Sequence, residues 1–282
     1  MSNIKIIDYS ILVKKIAELC IQTNNSVDAN FLKLIKENIK KNSNIQSSHL
    51  LKLLLKNNDI AKKNKLPVCQ DTGLSVFFVE MGESVRLSEK NIGEALTEGT
   101  ASGYKKGYLR KSIVADPLKR EPNTNDNSPP FYHIDFAPGN KLKVWFLPKG
   151  GGSENVSNIK FFNPTSDLSD ISSYIVETIR NVGGKACPPY KLGVCIGGTF
   201  DYCAMYSKKI LIDEFADKTV FANSFSNLLM NKINELEIGP QGLGGFPTVV
   251  KVNVKLLPTH IAMLPVAISF NCNAMRCGKI IL

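Results

Sequence analysis

The segment Val250-Lys251-Val252-Asn253-Val254-Lys255-Leu256 alternates strictly between apolar and polar side chains. Because successive side chains of a β-strand point to opposite faces of a sheet, this alternation predicts a half-buried strand. Residues 74–79 form a mostly apolar run, which predicts a buried strand, and residues 144–147 predict another strand. Alternating strands and mostly apolar strands occur together with long helices, and this mixture favours an α+β fold over a doubly wound sheet.

The first 65 residues have helical periodicity. Two apolar faces recur at the 3.6-residue spacing of a helix, the second after a cap at Ser26, and a third apolar run follows at residues 50–55. The two faces comprise Ile11, Leu12, Ile16, Leu19 and Cys20, then Phe31, Leu34, Ile35 and Ile39. We therefore expect an N-terminal helical bundle, residues 1–65, packed on one continuous mixed α/β region, residues 66–282.

Three further segments of the second region have helical periodicity. Residues 91–108 predict a helix that glycines loosen, and residues 167–182 and 214–236 predict two longer ones. Residues 123–130 are polar and end in prolines, which predicts a loop.

The chain of 282 residues carries a net charge of +10, which on its own would indicate nucleic-acid binding. Residues 1–65 hold twelve lysines, no arginine and five acids, so most of the excess belongs to the predicted helical bundle. No interleaving of basic and aromatic residues supports nucleic-acid binding. No run of about 18 apolar residues predicts a membrane helix, and the start, Met1–Lys5, lacks an apolar secretory region. We expect a cytoplasmic protein that binds neither nucleic acid nor membrane.

Seven cysteines are scattered over the chain, and none forms a Cys-x-x-Cys pair. An odd count in a long chain argues against a disulfide scaffold, so free thiols or metal ligands are expected. The glycine runs match neither nucleotide-binding pattern, GxxxxGK[ST] or GxGxxG, which excludes the usual phosphate-cradling loops.

Glycine, cysteine and ionisable residues are concentrated in a few segments that follow predicted strands or helices. The four segments are residues 67–73, residues 149–155, residues 187–189 followed by 193–199, and residues 239–245 followed by 260–276. Glycines and prolines there expose backbone N–H groups and keep loops in shape, which is how a fold presents donors to an anionic ligand.

Five sequence motifs occur in a fixed order along the chain. They are CQDTG at 69–73, KGGGSEN at 149–155, CPP with GVCIGGT at 187–199, IGPQGLGG at 238–245 and HIAMLPVAISFNCNAMR at 260–276. This set resembles the N-terminal, or alpha, part of the iron-sulfur (class I) fumarase and L-tartrate dehydratase family. Because the chain stops just after the last motif, we expect a separate alpha subunit that pairs with a beta subunit. The resemblance also implies the family's common assembly, dimers of alpha–beta units.

The resemblance implies a 4Fe-4S cluster held by Cys69, Cys187 and Cys272, with one iron left open to the substrate. A cluster with three thiolate ligands keeps a Lewis-acid corner that can bind a carboxylate and a hydroxyl, as the addition of water to a double bond requires. Cys277 is the alternative third ligand. The remaining cysteines, Cys20, Cys195, Cys203 and also Cys277, are expected to be small buried hydrophobes. Cys195 stands where the family usually has glycine, so it crowds its loop or brings a spare thiol near the cluster.

The resemblance also assigns roles around the substrate. Arg110 matches the arginine that grips a substrate carboxylate, and Gly151 and Gly152 would add backbone N–H donors. The corresponding assignments next to the cluster are Gln70 for substrate binding, Asp71 for acid–base catalysis, and His260 for proton transfer at the substrate hydroxyl. The alternatives are a solvated surface cation for Arg110, a tight turn for residues 149–155 and a core histidine for His260.

The function expected from this resemblance is the alpha subunit of a hydro-lyase acting on a small dicarboxylate. Fumarate to L-malate is favoured because it serves the tricarboxylic acid cycle, and L(+)-tartrate to oxaloacetate is the alternative. Two other classes of protein are the alternatives. One is a module that binds nucleic acid through the lysine-rich bundle, and the other is a scaffold protein that kept the fold and lost the catalytic activity. The chain alone is expected to be nearly inactive.

Overall fold

A computed structural model describes residues 4–282. The lack of an apolar secretory region was predicted from Met1–Lys5. Residues 1–3 of that segment lie outside the described residues. The helices are α1 (Tyr9–Asn24), α2 (Ala29–Lys41), α3 (Ile45–Asn64), α4 (Ile92–Lys106), α5 (Gly151–Asn155), α6 (Leu168–Val182), α7 (Phe200–Lys209) and α8 (Val220–Asn234). The strands are β1 (Lys5–Ile7), β2 (Leu74–Gly82), β3 (Val85–Leu87), β4 (Phe131–Ala137), β5 (Leu142–Lys149), β6 (Asn158–Phe162), β7 (Tyr190–Gly197), β8 (Val249–Leu257), β9 (Leu264–Asn271) and β10 (Gly278–Ile281). This mixture confirms the predicted α+β fold.

The chain divides into two compact units, each assembled from separate stretches of sequence. The first unit comprises the described residues up to Asp28, then Asn58–Gly151 and Arg276–Leu282. The second unit comprises Ala29–Asn57 and Gly152–Met275. The boundary expected near residue 65 does not coincide with these divisions, because the predicted bundle is shared between the units.

The first unit is built on a four-stranded sheet with the order β10-β5-β2-β4. β2 pairs in parallel with β4 and antiparallel with β5, and the predicted buried run of residues 74–79 lies in β2. Phe77 of β2 and Phe146 of β5 are both fully buried, and their rings stack at 4.9 Å between centroids. Because Leu74 at the start of β2 pairs with Lys149 at the end of β5, the CQDTG motif before β2 and the KGGGSEN motif at the end of β5 lie at the same end of this strand pair.

Helices α1 and α4 pack against each other within the first unit. Asn91 and Glu94 form a capping box at the start of α4. A side chain at Gly103 would approach the Cα of Ala17 and the Cβ of Cys20 to 3.1 and 2.9 Å. The glycines predicted to loosen this helix instead allow close helix contact, and this contact is why α1 belongs to the first unit.

The second unit is built on a four-stranded sheet with the order β6-β9-β7-β8. β7 pairs in parallel with β8 and antiparallel with β9. Buried side chains of α6 and α8, such as Ile175 and Leu229, pack with Val252 and Val254 of β8 in one core. The predicted helix over residues 167–182 is confirmed as α6, whereas the one over residues 214–236 begins only at Val220.

The polar face of β8 is partly covered, and the carboxylate of Asp213 binds lysines of both β8 and its neighbour β7. Asp213 lies 2.8 Å from the Nζ of Lys191, whose side chain is only 2% exposed, and 3.1 Å from the Nζ of Lys251. The side-chain amide of Asn253 donates to the same carboxylate at 2.8 Å. The alternation at residues 250–256 predicted the strand correctly, and its two lysines, which stay partly exposed, form ion pairs with carboxylates of the segment between α7 and α8, Lys251 with Asp213 and Lys255 with Asp217.

We expect Asp213→Asn to destabilise the second unit in a pH-dependent way. Burial alone would raise the pKa of the Asp213 carboxyl, but Lys191, Asn253 and Lys251 outweigh burial and hold this pKa below its usual range. A carboxylate with a lowered pKa contributes stability above its unfolded value of about 4, and this contribution is lost as the pH falls through the folded value. The free energy of unfolding at pH 7 should fall by about 1–3 kcal/mol, because buried Lys191 loses its counter-ion.

Urea denaturation at pH 7 and at about pH 3 measures this effect. The difference between the variant and the wild-type chain should shrink at the lower pH. Glu177→Gln is the control, because Glu177 forms an exposed ion pair with Arg180 on the surface of α6 and should change stability by less than about 0.5 kcal/mol. Equal destabilisation by Asp213→Asn at both pH values would contradict the interpretation.

Candidate active site

The carboxylate of Asp71 is fixed by two backbone N–H groups of the first unit. Oδ1 accepts a hydrogen bond from the N–H of Gly73 at 3.0 Å, and Oδ2 accepts one from the N–H of Gly151 at 2.8 Å. Asp71 is partly exposed and follows Cys69, also partly exposed, by two residues. Since each carboxylate oxygen has its own donor, the group is held in one orientation while part of it stays open to a substrate.

Buried side chains bind the backbone carbonyls of the loop that carries Asp71. The hydroxyl of Tyr104 donates to the carbonyls of Thr72 at 2.9 Å and Gly73 at 3.1 Å, and the side-chain amide of Asn127 donates to Gly73 at 3.2 Å. Burial raises the pKa of Tyr104, so its hydroxyl remains a donor at neutral pH. Gly73 has a φ of 76° and lies against the Lys149 backbone, where a Cβ would approach to 2.8 Å. The loop conformation is therefore set by its surroundings.

The segment that carries Arg110 is tied to the same loop. The side-chain hydroxyl of Thr72 donates to the backbone carbonyl of Arg110 at 2.9 Å. The N–H of Ser112 donates to Asn127, the residue that also binds the Gly73 carbonyl. Arg110 is exposed, as is Gln70 next to Asp71. Hydrogen bonds thus connect the segment of Arg110, the predicted carboxylate-binding arginine, to the loop of Asp71, the predicted acid–base residue.

The two glycines predicted to bind substrate differ in their surroundings. Gly151 belongs to the first unit and donates its N–H to Asp71, whereas Gly152 belongs to the second unit, and both are exposed. Their predicted N–H bonds to a substrate carboxylate stay predictions. In this structure Gly151 orients the catalytic candidate Asp71.

In the second unit, Cys187 and Cys272 lie at linked positions. Asn273, directly after Cys272, binds the Cys187 carbonyl through its backbone N–H at 3.0 Å and its side-chain amide at 2.9 Å. Burial raises the pKa of Tyr190, which begins β7 shortly after Cys187. The backbone segments that carry two of the three predicted cluster ligands are therefore neighbours.

His260 is exposed in a turn after β8. Its Nδ1 accepts a hydrogen bond from the backbone N–H of Ala262 at 3.1 Å. Because a backbone N–H can only donate, Nδ1 carries no proton in this arrangement, and the neutral ring holds its proton on Nε2. The ring borders an open cavity of about 560 Å³ in the second unit, with a mostly apolar lining that includes Tyr202, Tyr206 and Met263.

Three of the other cysteines are buried, as predicted. Cys20, Cys195 and Cys203 have no exposed surface, and burial raises the pKa of Cys20. The Cys203 thiol and burial raise the pKa of Cys195, which packs with Cys203 and Ala267. The thiol of Cys195, at the position where a family glycine was expected, is thus one of a small group of buried apolar side chains. Cys277 is only partly buried and donates to Asp28 at 3.4 Å in the first unit.

The predicted ligands are distributed over both units, with Cys69 in the first and Cys187 and Cys272 in the second. All seven cysteines lie within residues 4–282, and none of them forms a disulfide bond. In that range, no group of three or more His, Cys, Asp or Glu side chains lies close enough together to hold a metal ion. Among the helices of the same range, none combines the length and apolar character that a bilayer crossing requires.

Several side chains that shape the site were missed by sequence reasoning. Arg276 and Asn273 lie inside the quoted motif at 260–276, and this position could have indicated that they contribute to the site. Tyr104 and Asn127 had no such signal, because a tyrosine near a helix end and an asparagine in a polar loop are ordinary in sequence. Their roles become visible only from their contacts with Gly73.

The structure thus combines an α+β fold, a carboxylate fixed two residues after a partly exposed cysteine, and a histidine beside an open cavity. The chain belongs to the fumarate hydratase (fumerase) family, whose sequence profile matches residues 13–281.

Individual relatives carry two kinds of name. A protein of Methanocaldococcus jannaschii with the provisional name L(+)-tartrate dehydratase subunit alpha is 38% identical over 252 residues, which is 86% of this chain and 87% of the relative. The aerobic class I fumarate hydratase of Escherichia coli K12 is 30% identical over 79% of this chain, but the match covers only 42% of the relative. The L(+)-tartrate dehydratase subunit alpha of Escherichia coli UTI89 is 29% identical over 76% of this chain and 72% of the relative.

Proposed function

We propose that this chain is the alpha subunit of a two-subunit 4Fe-4S hydro-lyase that catalyses the reversible hydration of fumarate to L-malate. The observation that carries the proposal is Asp71, a carboxylate with a defined orientation two residues after Cys69 in a chain of the fumarate hydratase family. Hydration adds one water across the double bond, so one carbon gains a hydroxyl and its neighbour gains a proton. A positioned carboxylate can transfer that proton.

The chemistry of the donor set fits an iron–sulfur cluster. Cys69, Cys187 and Cys272 form no disulfide and are at least partly accessible, whereas Cys20 and Cys195 are fully buried with raised pKa values. Thiolate sulfur is the usual ligand of such clusters. We propose that the three accessible cysteines hold the cluster. Held by these three thiolates, the cluster would supply Lewis-acid chemistry toward the substrate hydroxyl and carboxylate.

The side chains of this chain then have separate tasks. Arg110, exposed and tied through its backbone to the Asp71 loop, binds one substrate carboxylate with its planar guanidinium. Asp71 takes or returns the proton at the substrate, and its two N–H donors keep its oxygens aimed during the transfer. His260 presents Nε2–H as a donor toward the substrate hydroxyl, because its Nδ1 is bound to Ala262.

Dehydration of L(+)-tartrate to oxaloacetate is the second candidate. The name of the Methanocaldococcus jannaschii relative, which matches over most of both chains, favours this activity. Malate and tartrate differ by one hydroxyl, so the groups identified in this chain would serve either substrate.

A beta subunit is part of the proposal. Relatives that match over most of their length are named subunit alpha, and the chain spans 42% of the Escherichia coli K12 fumarate hydratase. We propose that the partner supplies the remaining substrate-binding groups. Since the loss of even one group that stabilises a transition state costs about 10²–10³-fold in rate, the lone chain should turn over at least about 100-fold more slowly than the complex.

The test is anaerobic purification of the chain with and without a co-expressed candidate beta subunit, followed by iron and sulfide analysis and assays on both substrate pairs. The proposal expects a brown complex that interconverts fumarate and malate and loses activity in air. Preferential turnover of tartrate would favour the second candidate. Full turnover by the lone chain would contradict the two-subunit part, and a cluster-loaded complex inactive on both substrates would contradict the hydro-lyase assignment.

A further inference from the structure

We infer that Arg276 is a positioning residue that, together with Asn24, fixes the loop bearing Cys69 and Asp71. The inference rests on the proposed function, because that proposal makes Cys69 a ligand and Asp71 an acid–base group. No sequence feature gave Arg276 a role beyond its place in a motif. The contacts that carry the inference all lie within the first unit.

The guanidinium of Arg276 is buried, with the residue only 2% exposed. Its Nη1 donates to the Asn24 side-chain oxygen at 2.7 Å, and its Nη2 donates to the Asp71 backbone carbonyl at 2.9 Å. Hydrogen bonds from a charged donor are shorter and stronger than neutral ones. The arginine therefore connects the end of α1 to the backbone of the catalytic candidate.

Asn24 holds the other side of the same segment. It is fully buried, and its side-chain amide donates to the Cys20 carbonyl at 2.9 Å. Its backbone carbonyl accepts the N–H of Val68 at 2.9 Å. Val68 precedes Cys69 and Asp71 follows Gln70, so Asn24 and Arg276 bind the backbone on both sides of Cys69 and Gln70. The two predicted functional residues between them are thereby placed relative to α1.

The contact requires an arginine rather than any cation. The planar guanidinium presents two Nη atoms in a fixed fork, and here each reaches a different acceptor. A lysine keeps the charge but has a single nitrogen on a flexible stem, so it cannot span Asn24 and the Asp71 carbonyl in the same geometry. A displacement of about 1 Å at a catalytic group can lower the rate on the order of 10²-fold.

The kinetic test compares Arg276→Lys with the wild-type chain in the co-expressed complex. We expect kcat to fall by about 10- to 100-fold with KM changed less than about threefold, because Asp71 is displaced while Arg110 still binds the substrate. Arg86→Lys is the matched control. Arg86 also donates to backbone carbonyls of the first unit, those of Glu83 and Val85, but it does not contact the loop.

The second readout does not depend on activity. In the cluster-free full chain, mass spectrometry follows alkylation of Cys69 relative to Cys187, an exposed cysteine of the second unit that serves as an internal reference. Arg276→Lys should raise the Cys69-to-Cys187 ratio several-fold, and Arg86→Lys should leave it unchanged. If Arg276→Lys does not fold, Asn24→Ala removes the acceptor of Nη1 and should raise the ratio in the same direction.

The outcomes separate the inference from the proposed function. If Arg276 merely stabilises the fold, the variants lower the unfolding midpoint but leave both the alkylation ratio and kcat within twofold of wild type, which overturns the inference. A wild-type complex without turnover would instead contradict the proposed function, while the alkylation ratio would still test the position of Arg276.

Discussion

Replacement of Cys69 by alanine should remove the cluster and lower turnover of the αβ complex by at least about 10³-fold. A metal that acts as a Lewis acid supplies several kcal/mol of transition-state stabilisation, and each 1.4 kcal/mol corresponds to a factor of about ten in rate. Cys69 is partly exposed and lies on a loop with a defined backbone, so the substitution removes a sulfur without creating a core cavity. The loss should appear in the iron and sulfide content as well as in activity.

The same result is expected for Cys187→Ala and Cys272→Ala, and the control variant is Cys277→Ala. Cys277 is also partly exposed, but its thiol donates to Asp28, and it lies in the first unit rather than beside Cys187. Iron content and activity of Cys277→Ala should therefore match the wild-type complex. Anaerobic iron and sulfide analysis of all four variants makes the comparison.

Two results would contradict this ligand assignment. A Cys69→Ala complex with a full complement of iron and sulfide would exclude Cys69 as a ligand. Loss of the cluster in Cys277→Ala together with its retention in Cys272→Ala would transfer the third position to Cys277.

Local patterns predicted the secondary structure well because they reflect local physics. The apolar run at residues 74–79 became β2, and the segment beginning at Asp167 became α6 with Asp167 as its cap. The alternation at residues 250–256 became β8. Each of these predictions depends on the spacing of apolar residues, which a single segment of sequence contains.

The grouping of segments into units could not be predicted in the same way. Whether residues 4–28 belong with α2 or with the first sheet depends on the close packing of α1 against α4, which Gly103 permits. Glycine in a helix indicates weak helix propensity as readily as close contact, so the sequence left both interpretations open. The same ambiguity affects Lys251, which could face water or a buried carboxylate.

The motifs predicted the candidate catalytic and binding residues, but they did not predict the side chains that hold those residues in place. Asp71 and Arg110 were named from their motifs, and the structure connects their loops through Thr72. Arg276 and Asn127 reach this framework from distant parts of the chain, and the contacts they make are to backbone carbonyls. Every residue has a backbone carbonyl, so the acceptor of such a contact does not depend on the residue type. Supporting contacts of this kind therefore cannot be identified from one sequence.

Asp71→Asn should lower kcat by about 10²–10⁴-fold while the cluster content stays unchanged. The variant keeps the size of the side chain but cannot accept or return a proton. Its amide also has only one oxygen, so the N–H of either Gly73 or Gly151 would face an NH₂ group and lose its acceptor. Retention of iron and sulfide distinguishes this variant from Cys69→Ala, since both residues lie on the same loop but only one is a proposed ligand.

Asp116→Asn is the matched control for this prediction. Asp116 is another aspartate of the first unit whose carboxylate accepts two backbone N–H groups, those of Leu118 and Lys119. Both of these N–H groups bind Oδ1, so an asparagine at position 116 keeps both hydrogen bonds through its single amide oxygen, and the control measures the effect on kcat of neutralising an aspartate elsewhere in the first unit. Because the Asp71 carboxylate is held from both sides, Asp71→Glu, which is longer by one methylene, should not restore wild-type kcat. An Asp71→Asn complex with the kcat of the Asp116→Asn complex would show that Asp71 does not transfer the proton.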